Sequence, residues 1–315
     1  MKKLLAKMAI SRQPTIFVLA LVIVGSAIAE PQFLTTANLF NLLRQVAPNC
    51  IVATGMAIVI IAGGIDLSVG AMLSLGGVIA VAAQPSFGYG LGILFALLAG
   101  AAAGLTNGLL VTRLRINAFI GTLGVMTIVR GVALTLSRSH TLPGQDPAFA
   151  ALADRPIVGI PASTVLAFAL FLAGHYFMSS TPAGRSIYAV GGSLEASRLA
   201  GLRVERSLLF AYLSSAVAAA LAGVVVASEI NSGSPVLGND TPLSAIAAVL
   251  LGGISMRGGS GTMIGMLQGV LILGVLTNGL NISGVGGFYQ IVVVGSLLIL
   301  TVVLDRLVPR KSRRK

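Results

Sequence analysis

Ala62-Gly63-Gly64-Ile65-Asp66-Leu67-Ser68-Val69-Gly70 joins two long apolar runs, at about 46–63 and 67–84. A glycine pair weakens a continuous helix and frees backbone groups. A carboxylate at membrane depth is costly unless it is paired, hydrated or protonated. The stretch therefore reads as a break between two apolar helices with a polar residue set into it. The surrounding sequence supports that reading. Of the 315 residues, 56% are hydrophobic, 10% are charged and 39 are glycine, and the mean hydropathy is +0.96. A soluble domain carries about 25% charged residues, so this chain cannot cover a water-facing surface. The low charge also excludes disorder, and the aperiodic glycines exclude collagen. The fold class is all-α: a polytopic integral membrane helical bundle.

Since a helix needs about 20 apolar residues to cross a bilayer, hydropathy predicts ten segments. They fall at about 14–30, 46–63, 67–84, 88–112, 116–136, 161–178, 208–228, 243–256, 262–282 and 288–305. The third and eighth are short, which suits broken or re-entrant helices. Ten crossings put both termini on the cytoplasmic side. Charge supports this independently, because cytoplasmic loops retain Lys and Arg. Lys2, Lys3, Lys7 and Arg12, the tail 306–315 with its six basic residues, Arg113, Arg115, Arg185, Arg198, Arg203, Arg206 and Arg257 all fall inside. These are 17 of the 21 basic residues, leaving Arg44, Arg130, Arg138 and Arg155. The net charge of +12 is thus topology, with no nucleic acid implied. Ala27-Ile28-Ala29 resembles a signal-peptidase site, but the first segment is expected to stay as a span. The whole chain, 1–315, reads as a single transmembrane domain.

A second break, Gly252-Gly253-Ile254 running on to Gly258-Gly259-Ser260-Gly261, repeats Gly-Gly-Ile 189 residues after Gly63. This suggests an internal repeat of the kind that surrounds a central pathway. No GxxxxGK[ST] occurs, so the chain does not hold ATP by a phosphate loop. Most other glycines read as helix packing, as in Gly100-Ala-Ala-Ala-Gly104. Asp66 with Ser68 suits a helix cap and also a contact to solute or ion. Asn49, Asn107, Asn278 and Asn281 are further pathway candidates. Amides hydrogen-bond a polyhydroxylated solute, and they also hold helices together. Asn278 and Asn281 are three apart and share a helix face. Cys50 is the single cysteine, and His140 and His175 have no cysteine cluster nearby, so neither a disulfide nor a metal site is indicated. No nucleophile–base cluster or carboxylate pair lies in the spans, so no catalytic residue is assigned.

Residues 181–207 form the long polar stretch on the inner side. Within them Glu195-Ala196-Ser197-Arg198-Leu199-Ala200-Gly201-Leu202 predicts a short helix, capped by Ser193 and stopped by Gly201. A Leu199/Leu202 ridge suits a partner groove; an ordinary solvated loop is the alternative. The outer loops, about 137–160 and 229–242, carry Asp146, Asp154, Glu229 and Asp240.

From about Asn38 to Asp305 the chain resembles the permease subunit of ribose-type bacterial ABC sugar importers. Three stretches carry the resemblance: 63–70; 184–192 running into Glu195–Leu202; and Ala245-Ile246-Ala247-Ala248-Val249-Leu250-Leu251-Gly252-Gly253. The resemblance implies a multi-pass protein of the bacterial inner membrane, surrounded by lipid, that moves a monosaccharide without changing it. It makes Glu195, Arg198, Leu199, Gly201 and Leu202 the segment that docks on a separate cytoplasmic ATPase. ATP and Mg would act on that ATPase, leaving this chain without a cofactor. A second permease copy or paralogue would complete the pathway, and a periplasmic sugar-binding protein would deliver the solute. Two rivals remain. An ion-coupled carrier needs several intramembrane ionisable residues, and Asp66 is the one carboxylate deep in the apolar pattern. An ABC permease for another small polar solute, such as an amino acid, is the other.

Overall fold

The structure, a computed structural model, describes residues 14–307. Lys2, Lys3, Lys7 and Arg12 lie outside the described residues, as do residues 308–315 of the basic tail. The described chain is a polytopic all-helical membrane protein. Each of the ten apolar segments is one helix: α1 (Pro14–Ala29), α2 (Thr36–Ile61), α3 (Val69–Ala82), α4 (Gln84–Thr112), α5 (Ala118–Leu136), then, after a short α6 (Pro147–Ala150), α7 (Ala162–Ser180). After a polar pair, α8 (Pro182–Gly192) and α9 (Leu194–Leu199), come α10 (Val204–Glu229), α11 (Thr241–Leu251), α12 (Met263–Ile282) and α13 (Gly287–Leu307). Six of these, α2, α4, α5, α7, α10 and α12, are long and apolar enough to cross a membrane.

Apolar residues alone do not choose an inside in lipid, so small residues do. α2 is the centre, with most of its length buried, whereas α4, α5 and α7 keep broad exposed faces of Leu, Ile and Phe that suit lipid. α10 is an alanine-rich rod whose buried face packs on α2, α3 and α4. Gly104 of α4 shows why glycine is needed there. A Cβ on it would stand 2.7 Å from both Leu213 Cα and the Tyr212 carbonyl oxygen.

The two ends of the bundle differ chemically. At one end, α2 ends at Ile61, α8 packs against it with α9 following, and α10 begins. Gly108, late in α4, packs on Leu209 near that start, so Arg113 and Arg115 share this end with Arg185, Arg198, Arg203, Arg206 and Arg257. At the other end Leu142–Pro143 pairs with Ser232–Gly233, and Arg44, in the third turn of α2, forms an ion pair with Asp154 at 2.9 Å. Ser228 Oγ donates to the Phe149 carbonyl and accepts from Ala153 N, fastening this loop to α10.

One expected loop is more than a connector. After Ser232–Gly233 the chain folds back along α3: the Gly238 N–H donates to Ser74 Oγ (2.9 Å), and Gly238 lies backbone to backbone against Gly70. Pro242, in the first turn of α11, also packs on Gly70. α11 therefore starts beside the beginning of α3, partway along the bundle. At about 1.5 Å per residue, its 11 residues make a half-length helix. The eighth apolar segment is a broken helix: a non-helical, turn-rich arm that enters from the Ser232–Gly233 end, followed by a half-helix that runs on toward the Arg257 end.

Candidate functional site

Both sequence breaks are helix C-termini of one design. At the end of α2, Gly63 N donates to Ile60 O (3.0 Å) and Gly64 N to Val59 O (2.9 Å). At the end of α11, Gly253 N donates to Leu250 O (2.8 Å) and Ile254 N to Val249 O (3.2 Å). Gly63 (φ +86°) and Gly253 (φ +81°) occupy the left-handed position this stop requires. The geometry equates Gly63 with Gly253, 190 residues apart. The sequence match, which pairs Gly63 with Gly252, is out of register by one.

The breaks meet each other and the polar pair. The Gly259 N–H donates to the Ile61 carbonyl oxygen (2.8 Å), one of the carbonyls that the end of α2 leaves free. Gly191, at the end of α8, packs into the same corner. A Cβ there would collide with Ile61 O and stand 2.7 Å from Gly259 N. Gly258 lies against both Gly63 and Gly191, and Gly259 against Gly192. Tyr188 Oη, from α8, donates to the Gly261 carbonyl at 3.0 Å. Both breaks and the end of α8 thus form one junction of bare backbone.

α9 projects from this junction. Ser193 Oγ accepts the Ala196 N–H (3.2 Å) as its N-cap, and Glu195 lies in the first turn. At the other end Gly201 (φ +76°) stops the helix, with Gly201 N bonded to Arg198 O and Leu202 N to Ser197 O, each at 3.0 Å. Leu199 is 85% exposed at the tip, Arg198 is exposed and Leu202 is partly covered. Sequence reading missed α8, although Thr181 followed by Pro182 is an N-cap followed by the favoured first helical residue; Thr181 Oγ1 accepts the Gly184 N–H.

Three of the pathway candidates come together. Asp66 Oδ1 accepts from Ser68 N (3.0 Å), Ser68 Oγ (2.6 Å) and Asn107 Nδ2 (3.3 Å), and Asn107 Nδ2 also reaches Ser68 Oγ (2.8 Å). All three residues are fully buried. The Asp66 bond to Ser68 N is a local turn that starts α3. Tyr212 and Ser215, buried on α10, lie beside the carboxylate. Sequence gave no signal for these two beyond their being polar in an alanine run.

The other candidates lie elsewhere. Asn278 and Asn38 exchange two amide hydrogen bonds, at 2.9 and 3.0 Å, tying α12 to α2. Asn281 is exposed and accepts from Gln290. Asn49 is exposed and lines a small cavity with Ser244, Thr277 and Val294.

The sequence pattern of the family described as "Branched-chain amino acid transport system / permease component" matches residues 38–302. The "Ribose import permease protein RbsC" of Bacillus subtilis (strain 168) is 39% identical over 92% of this chain and 90% of its own length. The protein of that name from Escherichia coli (strain K12) is 38% identical, with 93% of each chain covered. The "D-allose transport system permease protein AlsC" of Escherichia coli (strain K12) is 33% identical over 94% of this chain and 92% of its own length. No solved structure matches. This chain belongs to the branched-chain amino acid transport system / permease component family.

Proposed function

We propose that the chain is the membrane-spanning permease of an ABC importer that carries a monosaccharide across the bacterial inner membrane. It is a transport component. Hydrolysis, with its ATP and Mg, belongs to a separate cytoplasmic ATPase, and this chain itself holds no cofactor. In this reading residues 1–315 are one domain with ten membrane helices and both termini in the cytoplasm. The seven arginines of the α8–α9 end then face inward, where basic residues are retained. A second permease copy or paralogue completes the pathway, and a periplasmic sugar-binding protein meets the Arg44–Asp154 end.

The observation that carries the reading is the junction at Gly63, Gly191 and Gly259. α9 presents Leu199 outward as a docking tip, and α8 behind it bears directly on both helix breaks. Closure of a partner ATPase pushes α9 and so moves both breaks together. An ion-coupled carrier has no need of such an exposed lever. Its need is for several intramembrane ionisable groups, and Asp66 is the one fully buried carboxylate among the described residues. For the solute, the ribose and allose permeases that match over nearly full length favour a sugar over the amino acids of the family's description.

The test is uptake in vesicles holding the permease with its neighbouring ATPase and binding protein. Labelled ribose or allose should enter only with ATP and should be unaffected by an uncoupler at constant ATP. Uptake that an uncoupler abolishes while ATP is held constant would overturn the importer reading.

A further inference from the structure

A cleft of about 240 Å³ opens where α11 begins, lined by Asp240, Ser244, Thr277, Gln290 and apolar residues of α13. Beside it the smaller cavity that shares Ser244, Thr277 and Val294 leads on to Asn49. Because the 232–240 arm folds back along α3, Asp240 sits at the cleft, not out on a solvated loop. It occupies the N-cap position of α11, where an aspartate usually accepts an N–H of the first turn. Here it makes no cap bond and no ion pair among the described residues. Its carboxylate is exposed and uncommitted.

The other groups are committed as donors. Thr277 Oγ1 donates to the Leu273 carbonyl at 2.9 Å. Gln290 Nε2 donates to Asn281 Oδ1 and, at 3.0 Å, to the Val285 carbonyl. What remains toward the cleft is a carboxylate, a hydroxyl lone pair and an amide oxygen, with Ser244 able to do either. An acceptor-rich wall selects a solute rich in O–H donors. No Lys, Arg or His lines the cleft among the described residues, so the carboxylate of a free amino acid finds no partner. The volume lies just under the roughly 300–1,000 Å³ of sites for larger ligands, which suits one sugar ring.

We propose that Asp240, Ser244, Thr277 and Gln290 form the stopping place of the solute in the pathway, with the Asp240 carboxylate accepting sugar hydroxyls. This rests on the importer reading, and the test separates the two. In vesicles with ATPase and binding protein, wild-type permease sets the reference. If it moves no monosaccharide with ATP, the importer reading itself fails. Given wild-type uptake, Asp240→Leu should lower the ribose rate at least about tenfold. Asp240→Asn, which keeps one acceptor oxygen, should lower it only about threefold. Rates equal to wild type in both variants overturn the assignment.

Should the leucine variant not assemble, Asp240→Cys in a Cys50→Ala background decides. A charged, membrane-impermeant methanethiosulfonate should modify it, and ribose-loaded binding protein should slow that reaction at least threefold against empty binding protein. No modification, or the same rate with both, overturns the proposal.

Discussion

Replacing Gly191 with alanine tests the junction most directly. The new methyl would collide with the Ile61 carbonyl oxygen and stand 2.7 Å from Gly259 N, roughly 1 Å inside the comfortable separation for carbon. None of these neighbours is the end of a flexible side chain, so backbone must move. Overpacking costs about 1–3 kcal/mol. Loss of the buried Gly259–Ile61 hydrogen bond adds about 0.5–1.5 kcal/mol. If the junction closes in one access state and opens in the other, a penalty of about 1.5–4.5 kcal/mol falls on one state alone. It then shifts the equilibrium by roughly ten- to two-thousand-fold. The neighbour Gly192, whose added Cβ meets nothing within 4 Å, is the control. The assay is sugar taken up per ATP hydrolysed, in vesicles, for complexes that co-purify intact. Gly191→Ala should lower this ratio at least about tenfold and Gly192→Ala should leave it alone. An unchanged ratio in an assembled Gly191→Ala complex, with only lower thermal stability, would refute the reasoning: the junction would then be equally closed in both states.

Leu199→Asp puts a charge on a tip that is 85% exposed; co-purification with the ATPase should weaken at least about tenfold, as for an interface hot spot, while the permease alone melts unchanged. For Asn38 and Asn278, which exchange two amide bonds, alanine single and double variants read by thermal unfolding in detergent should give a coupling of about 1 kcal/mol; strict additivity would mean that the pair holds nothing. Gly104→Leu should cost several kcal/mol of stability because α10 backbone lies 2.7 Å from the added Cβ. Gly124→Leu, where nothing lies within 4 Å, should cost under about 1 kcal/mol by the same melting assay.

The helices were legible because lipid makes hydropathy nearly decisive. α9 was legible because Ser193 and Gly201 act locally. Harder to read were features fixed by partners distant in sequence. The arm at 232–240 carries an ordinary Gly/Ser/Pro loop composition, and only Ser74 and Gly70, some 164 residues earlier for the bonded pair, draw it into the bundle. Tyr212 and Ser215 look like stray polar residues until α10 lies against the α2–α3 break. Asn278 and Asn281 share a helix face by spacing, yet Asn38 buries the first while the second sits in the open last turn of α12. Periodicity gave the face and could not give the neighbour.

The two glycine breaks share one kind of helix stop but not one sequence register. Counting Gly-Gly-Ile pairs Gly63 with Gly252, whereas the left-handed glycine that ends each helix pairs Gly63 with Gly253. Identity of letters was misleading because glycine serves two purposes in these stretches. Gly252 is still in the last helical turn and touches Gly265 of α12, while Gly253 makes the stop. After the shared stop the two breaks diverge. The first runs through Asp66 into α3, and the second returns through Gly258 and Gly259 to bond Ile61. The second break thus completes the hydrogen bonding of the first, so one cannot swing away without leaving a helix-end carbonyl without its partner. That cost couples the two breaks, and α8, wedged at the same carbonyl through Gly191, is placed to move both with a single displacement.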